Sequence, residues 1–240
     1  DPTVVGLRTA VVSFATSDDS FSDALTENPF NFAIQGNGVA PSITNFPTTL
    51  AFESLLGSTP AAQTYSISNN ALGSMLYTAQ VTAGSAWLST APGTATVGAA
   101  AGQVHTASVS MLSSFVPGVS NGTITIASPS ATNSPKTIGV TWTIGAITNP
   151  TAATATADGA EMVRLAWTKN GSHSVLIIHN SSNAPAAPVN GTGYTVGSSF
   201  ADGSRVIAWS NVLAQYEHVM RPGSTNFYAF YSINHNYYSP

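Results

Sequence analysis

The fold is decided by residues 122–144, which read GTITIASPSATNSPKTIGVTWTI. Two runs within this stretch, 123–126 and 138–144, alternate apolar and polar residues, and a polar bend with two prolines separates them. Period-two alternation is the pattern of a strand with one buried face, which here carries Ile138, Val140, Trp142 and Ile144. The stretch therefore predicts a hairpin that closes an antiparallel sheet of a β-sandwich.

Low charge is the main feature of the composition. Only 7% of the 240 residues are charged, against about 25% in a typical soluble domain. Residues 54–135 contain no Asp, Glu, Lys or Arg, so Ser, Thr, Asn, Gln and Gly must keep that surface soluble. This composition favours a secreted or surface-displayed chain. The formal net charge is −4 and the six basic residues are scattered, which argues against a nucleic-acid partner.

The chain has no cysteine, which excludes a disulfide framework and a Cys-ligated metal. No apolar run approaches the roughly 18 residues of a membrane span, so none is predicted. Asp1 follows no initiator Met and no signal peptide is visible. We therefore expect a processed or excised piece of a longer precursor.

Strand-like runs divide the chain into three predicted units, 1–40, 41–147 and 148–240. In the second unit the runs recur about every ten residues between Gly, Pro and Asn, which is typical of an all-β sandwich. A short linker is predicted at 149–154, and the third unit contains runs at 162–167, 174–179, 205–209 and 225–233. The run at 174–179, SVLIIH, is continuously apolar and predicts a strand buried on both faces.

The first forty residues contain only two strand-like runs, GLRTAVVSFA at 6–15 and NPFNFAIQGNGV at 28–39. An acidic loop joins them. A sandwich needs about seven strands, so this unit is a fragment of a domain or a partial sheet packed on something else. Exposed sheet edges of that kind invite pairing with another chain.

The end of this first unit resembles the choice-of-anchor D domains, relatives of the ASPM/SPD-2/Hydin immunoglobulin-like family. The residues that match are Asn28-Pro29-Phe30, Gln35-Gly36 and Gly38. The resemblance implies that residues 1–40 are the C-terminal half of such a domain, with its front half missing from this chain.

The other two units also resemble bacterial surface modules. The middle unit is similar to the BACON-like group of immunoglobulin-like domains in the segments 50–52, 63–69, 86–89 and 122–126. The third unit looks like a fibronectin type III-like domain, on Leu165 and Trp167, the stretch from Val189, RPGSTNFYAFYSIN from Arg221 and the terminal NYYSP. Together the resemblances imply tandem immunoglobulin-like/fibronectin III-like β-sandwiches and no activity.

Two sets of side chains are candidate metal ligands. Asp18, Asp19, Asp23 and Glu27 could supply oxygens to Ca²⁺, but their spacing is not that of an EF-hand and a solvated loop is favoured. The five histidines are His105, His173, His179, His218 and His235. They lie far apart in the sequence and form no H-x-x-x-H or H-E-x-x-H motif, so no metal site is predicted.

Catalytic and cofactor motifs are also missing. The sequence has no G-x-S-x-G, no acidic residues placed for a triad and no carboxylate pair in the middle unit. The turn Gly191-Thr192-Gly193 lacks the third glycine and the following helix of a dinucleotide site. We therefore predict no catalytic residue, no cofactor and no enzyme.

Aromatic residues are candidates for a sugar-stacking platform: Trp87, Trp209, Tyr228, Tyr231, Tyr237 and Tyr238. Period-two aromatics in sandwiches are mostly core residues, however, and Trp142 is interpreted as core of the middle unit. Four asparagines lie in N-x-[ST] motifs that permit glycosylation: Asn121, Asn170, Asn180 and Asn190.

The leading hypothesis is a non-catalytic structural protein, secreted or displayed on a bacterial surface, whose tandem sandwiches build a stalk or filament. A strand from a neighbouring subunit would complete the partial sheet at 1–40, so that subunits add head to tail without closing. Two alternatives stay open: a carbohydrate-binding or adhesion module, and an accessory region of a larger secreted enzyme.

Overall fold

The computed structural model describes residues 6–15 and 30–240, and that part of the chain contains strands and no helix. The predicted all-β fold of tandem sandwiches is confirmed. The first two strands, β1 (Gly6–Phe14) and β2 (Phe30–Gly38), form a two-stranded antiparallel ribbon. Its register pairs Gly6 with Gly38 and Phe14 with Phe30. We call this element the β1–β2 ribbon.

Nine strands form the two sheets of the middle sandwich. They are β3 (Ile43–Thr44), β4 (Thr49–Leu55), β5 (Gln63–Asn69), β6 (Met75–Ala83), β7 (Leu88–Ala91), β8 (Thr94–Val97), β9 (Ala101–Val109), β10 (Gly118–Ala127) and β11 (Lys136–Gly145). One sheet has the order β4-β11-β10-β6-β8 and the other β3-β5-β9-β7. β10 and β11 are the predicted hairpin, with Ile124 opposite Ile138.

The prediction of a purely antiparallel sheet is wrong at one position. β11 pairs with β4 in parallel, with Val140 opposite Leu50. Parallel neighbours need a long crossover between them, and the remaining strands of the unit provide it.

The predicted core face of β11 is confirmed. Ile138, Val140, Trp142 and Ile144 are at most 2% exposed. The Trp142 ring packs against Trp87 with 5.9 Å between centroids and edge-on against Phe115 at 5.3 Å. Its Nε1 donates a hydrogen bond to Ser54 Oγ at 3.1 Å, so the polar atom of the buried indole has a partner.

A buried histidine lies in the same core. His105 is 0% exposed, its Nε2 shares a 2.6 Å hydrogen bond with the Tyr77 hydroxyl, and its ring stacks on Tyr65 at 5.2 Å. Its Nδ1 has no well-formed hydrogen bond. Burial lowers the pKa of His105, against a smaller opposing effect of the Pro92 carbonyl. Burial, and to a lesser degree Tyr65, raises the pKa of Tyr77 to about 12. Both groups are therefore neutral in the core.

The buried His105 predicts acid sensitivity of the fold. Its folded-state pKa lies below the unfolded value of about 6.5, so unfolding takes up a proton as the pH falls below that value. Stability is then complete above about pH 6.5 and declines as the pH falls toward the folded-state pKa. Denaturant unfolding at a series of pH values measures the slope of the unfolding free energy against pH. The substitution His105→Gln should reduce that slope. An unchanged slope in His105→Gln would contradict this assignment.

The third sandwich contains the remaining strands. They are β12 (Thr151–Ala157), β13 (Met162–Thr168), β14 (Ser174–Asn180), β15 (Arg205–Ser210), β16 (Gln215–Val219), β17 (Phe227–Asn234) and β18 (Tyr237–Tyr238). One sheet is β12-β13-β16 and the other β15-β14-β17-β18. The prediction of a linker at 149–154 is wrong, because residues 151–154 belong to β12. Its sequence TAATATA has no apolar alternation, and all seven residues are exposed.

The strand β14 is buried on both faces, as predicted. Val175 and Ile177 face the opposing sheet and pack with Leu165 and Trp167. On the outer face, Leu176 and Ile178 belong to a second cluster against which Tyr194 and Phe200 pack. These two aromatics come from the long connection between β14 and β15, which covers that side of the sheet.

The middle and third sandwiches contact each other through the turn between β17 and β18. Asn234 Nδ2 donates hydrogen bonds to the Leu56 carbonyl and Ser58 Oγ, both at 2.7 Å. Tyr237 is 9% exposed and packs within the core of the middle sandwich. Gly57 lies under this turn with φ +87°, and a Cβ there would meet the Asn234 carbonyl oxygen at 2.3 Å. The division of the chain at 40/41 and 147/148 stays a prediction.

Candidate functional site

The β1–β2 ribbon has one apolar face that is exposed. Opposite residues of an antiparallel pair share a face, so the register groups Ala10, Val12, Phe14, Phe32 and Ile34, with Arg8 opposite Gly36 at one end of the same face. Phe14, Phe32 and Ile34 are 54%, 40% and 46% exposed. The rings of Phe14 and Phe32 stack at 5.9 Å. We call these five residues the ribbon apolar face.

The edges of the ribbon are also open. Within residues 6–15 and 30–240, β1 and β2 pair with each other and with no third strand. Among the described residues, each strand therefore has one side whose backbone N–H and C=O groups pair with no other strand. Open edges and exposed apolar patches are both features of interaction surfaces.

A second open edge lies in the third sandwich. Among the described strands, β12 is the outermost of its sheet and pairs with β13 alone. Its residues are uncharged and fully on the surface. Other long edge strands carry an exposed charged residue that discourages pairing: Glu53 on β4, Arg205 on β15 and Glu217 on β16. Of the strands described in the two sandwiches, β12 is thus the long edge strand that carries no exposed charged residue.

An aromatic pocket of about 380 Å³ lies on the outer face of the third sandwich. Its walls come from Trp209 on β15, the connection at Tyr194–Val196, and the β17–β18 turn with His235 and Asn236. Trp209 is 50% exposed. Such a concave, mostly apolar site with a few polar groups is where proteins bind small molecules.

The pocket walls are held in place by hydrogen bonds. Tyr238 Oη donates to the Thr192 carbonyl at 2.8 Å, and the Val189 N–H donates to Tyr194 Oη at 3.3 Å. His235 has φ +51°, a left-handed conformation that is uncommon for a non-glycine residue and fixes the turn beside the pocket. The pocket is therefore preformed.

The structure separates the six aromatic candidates. Trp87, Tyr237 and Tyr238 are buried, at 8%, 9% and 5% exposure, and are unavailable as a flat platform. Tyr228 and Tyr231 are half-buried, which leaves Trp209 as the exposed member. Sequence reasoning did not select Tyr194 and Asn236, and it considered His235 only as a metal ligand, because these residues lie in loops without periodicity.

Two of the histidines, although far apart in the sequence, meet in space. His179 on β14 and His218 on β16 have ring centroids 4.6 Å apart. Burial lowers the pKa of His218, and the neighbouring His179 lowers it further. Over the described ranges, no three His, Asp or Glu side chains are close enough to hold a metal together. Asp18, Asp19, Asp23 and Glu27 lie outside the described residues.

The four N-x-[ST] asparagines have different environments. Asn121 is exposed on β10. Asn180 is 4% exposed and its Nδ2 donates to Ser204 Oγ at 3.0 Å, so it is inaccessible in the folded chain. Asn170 donates to Thr148 Oγ1, and Asn190 accepts from the Tyr238 N–H at 2.8 Å. The described part of the chain contains no long apolar helix of the kind that crosses a membrane.

No protein-family model and no curated protein matches the chain. Solved structures that it resembles include the chicken CNTN1 FN1–FN3 domains (11% identity, TM-score 0.31, 90% of this chain and 69% of that chain). Others are domains A168–A170 of titin (11%, 0.33, 88% and 67%) and the E. coli chaperone DraB (12%, 0.35, 83% and 95%). These likenesses are too distant to inform function. The choice-of-anchor D and BACON resemblances stay predictions.

Proposed function

We propose that this chain is a non-catalytic structural protein of the bacterial cell surface or extracellular space, whose copies assemble head to tail. The observation that supports it is the ribbon apolar face. Val12, Phe14 and Ile34 line a sheet surface of the kind that proteins normally pack into a core. A second copy of the chain is the partner that would bury it.

The proposed receiving edge is β12 of the next copy. Addition of a strand to an open sheet edge uses backbone hydrogen bonds that need no particular side chains. β12 offers seven exposed, uncharged residues, and its register is regular from Thr154 to Ala157, after a bulge between Thr151 and Thr154. Each ribbon strand is nine residues long, which is enough to pair with this regular part.

This contact joins different surfaces of the two copies. Heterologous contacts that do not close into a ring produce open filaments. The low charge of the chain, 7% of residues, is consistent with close contact between copies, since few like charges oppose it. Extracellular location belongs to the same proposal and is supported by the uncharged Ser- and Thr-rich surface.

Sedimentation velocity of the full chain across a concentration series tests this proposal. We expect the weight-average mass to rise with concentration, without a plateau at the dimer. A single monomeric species throughout would contradict assembly. A monomer is instead the result expected for an accessory region of a larger secreted enzyme.

The pocket beside Trp209 favours carbohydrate binding as a second candidate function. An exposed indole offers an apolar ring face to the C–H groups of a sugar. Asn236, His235 and Ser174 line the same pocket and can pair with hydroxyl groups. The pocket, with a volume of about 380 Å³, can hold one or two sugar units. It is too small for an extended stretch of polysaccharide.

Trp209→Ala tests the carbohydrate function. If the wild type is retarded in affinity electrophoresis by one of a panel of soluble polysaccharides, the variant should lose at least about tenfold in affinity, or about 1.4 kcal/mol. Phe227→Ala is the matched control, since Phe227 is an exposed aromatic outside the pocket, at 37% exposure. No retardation of the wild type by any polysaccharide would remove this candidate.

A further inference from the structure

The histidine pair lies between the two sheets of the third sandwich. His179 projects from β14 toward the same side as Ile177, and His218 projects from β16 on the opposing sheet. Their rings are inclined at 65° with centroids 4.6 Å apart. Neither residue is fully buried. The two imidazoles therefore meet at an accessible margin of the core.

The hydrogen bonds of Asn226 fix the protonation of His179. Asn226 Nδ2 donates to the Ser224 carbonyl at 3.2 Å, which sets the orientation of the amide. Asn226 Oδ1 then faces His179 Nε2 at 2.7 Å. An amide oxygen only accepts, so Nε2 carries the hydrogen. In the neutral ring, Nδ1 therefore keeps its lone pair.

His218 is oriented in the same way by Tyr228. The Tyr228 hydroxyl donates to Met220 Sδ at 3.8 Å. Its oxygen can then accept a hydrogen bond from His218 Nδ1, 3.0 Å away. In the tautomer that donates to Tyr228, Nε2 keeps the lone pair. Each ring thus has one nitrogen held by the protein and one nitrogen free to bind.

The two free nitrogens are open to solvent. Within the described residues, the enclosed polar side-chain atoms that lack a partner are His105 Nδ1, Trp167 Nε1 and Ser232 Oγ. The free nitrogens of His179 and His218 are not among them, and no group of residues 6–15 and 30–240 forms a hydrogen bond with them. A solute can therefore reach both.

From this geometry we infer that His179 Nδ1 and His218 Nε2 form a binding site for a divalent transition-metal ion, with Cu²⁺ bound most tightly. Imidazoles suit Cu, Zn and Ni, and affinity at a given nitrogen site rises to Cu²⁺ and falls again at Zn²⁺. Two imidazoles in neighbouring positions on one ion, with metal–nitrogen distances of about 2.0–2.1 Å and N–metal–N angles of about 90–120°, have ring centres roughly 4.5–5.5 Å apart. The observed 4.6 Å lies in that range.

The surroundings of the pair match those of known metal ligands. Ligating histidines usually donate their other ring N–H to a protein acceptor, which fixes ring orientation and increases ligand basicity. Asn226 and Tyr228 provide those acceptors here. Water or a group from another molecule would complete the coordination. The site is independent of the proposed assembly and of the sugar pocket.

Titration calorimetry of the full chain with Cu²⁺ and with Zn²⁺, at neutral pH in a non-coordinating buffer, tests the site. We expect one Cu²⁺ per chain, bound more tightly than Zn²⁺. His179→Gln and His218→Gln should each abolish that binding, while His173→Gln and His235→Gln should leave it unchanged. Asn226→Ala should weaken it by roughly 10–100-fold.

Electron paramagnetic resonance of the Cu²⁺-loaded wild type tests the same claim without relying on a variant that folds. We expect hyperfine coupling of the Cu²⁺ electron spin to two imidazole nitrogens. The inference is overturned by coupling to one imidazole or none, or by absence of saturable binding. It is also overturned if the two glutamine variants, shown by circular dichroism to be folded, bind Cu²⁺ like the wild type.

Discussion

Replacing Trp142 with alanine is expected to lower the free energy of unfolding of the middle sandwich by about 3–5 kcal/mol. Trp142 is 0% exposed and is the largest fully buried side chain. Its removal leaves a cavity between Trp87 and Phe115 that the surrounding strands cannot close completely. It also leaves Ser54 Oγ without its donor.

Guanidinium-induced unfolding, followed by circular dichroism, measures this loss. Val212→Ala is the control, because Val212 is 79% exposed and surface substitutions usually change stability by less than about 0.5 kcal/mol. A loss below about 1 kcal/mol for Trp142→Ala would show that this indole is not the centre of the core.

Placing lysines at Val12 and Ile34 is expected to abolish self-association. The two residues lie on the ribbon apolar face, on neighbouring strands. A contact that buried this face would have to desolvate two ammonium groups without partners, which costs several kcal/mol. We expect the sedimentation mass of Val12→Lys/Ile34→Lys to stay monomeric at concentrations where the wild type associates.

The control carries the same charges on the opposite face of the ribbon. Thr9 and Gln35 are paired in the register and exposed, so Thr9→Lys/Gln35→Lys adds the same charge without touching the apolar face. It should associate like the wild type. Equal loss in both variants would point to general charge repulsion instead of a specific contact.

Periodicity predicted the strands that have a well-defined core. The segments 122–144 and 174–179 combine bulky apolar residues with a clear period or run, and both lie where they were expected. β12 was missed because Ala and Thr alone give no contrast between a buried and an exposed face. The strand β3 has only two residues, which is too short to show a period-two alternation.

The candidate sites were less predictable than the fold, because their parts come from distant segments. Trp209 could be selected from the sequence, but its neighbours Tyr194 and Asn236 lie in loops that only the folded chain brings together. His179 and His218 lie on facing sheets, and motif searches test short spacings only. Their pairing depends on the packing of the two sheets.

Electron microscopy of the purified full chain, negatively stained, tests the central claim most directly. Head-to-tail assembly through the ribbon predicts filaments of wild-type protein one subunit wide. In the Val12→Lys/Ile34→Lys variant it predicts isolated particles. Isolated particles in both samples, at concentrations well above those used for sedimentation, would contradict the claim that this chain builds a filament.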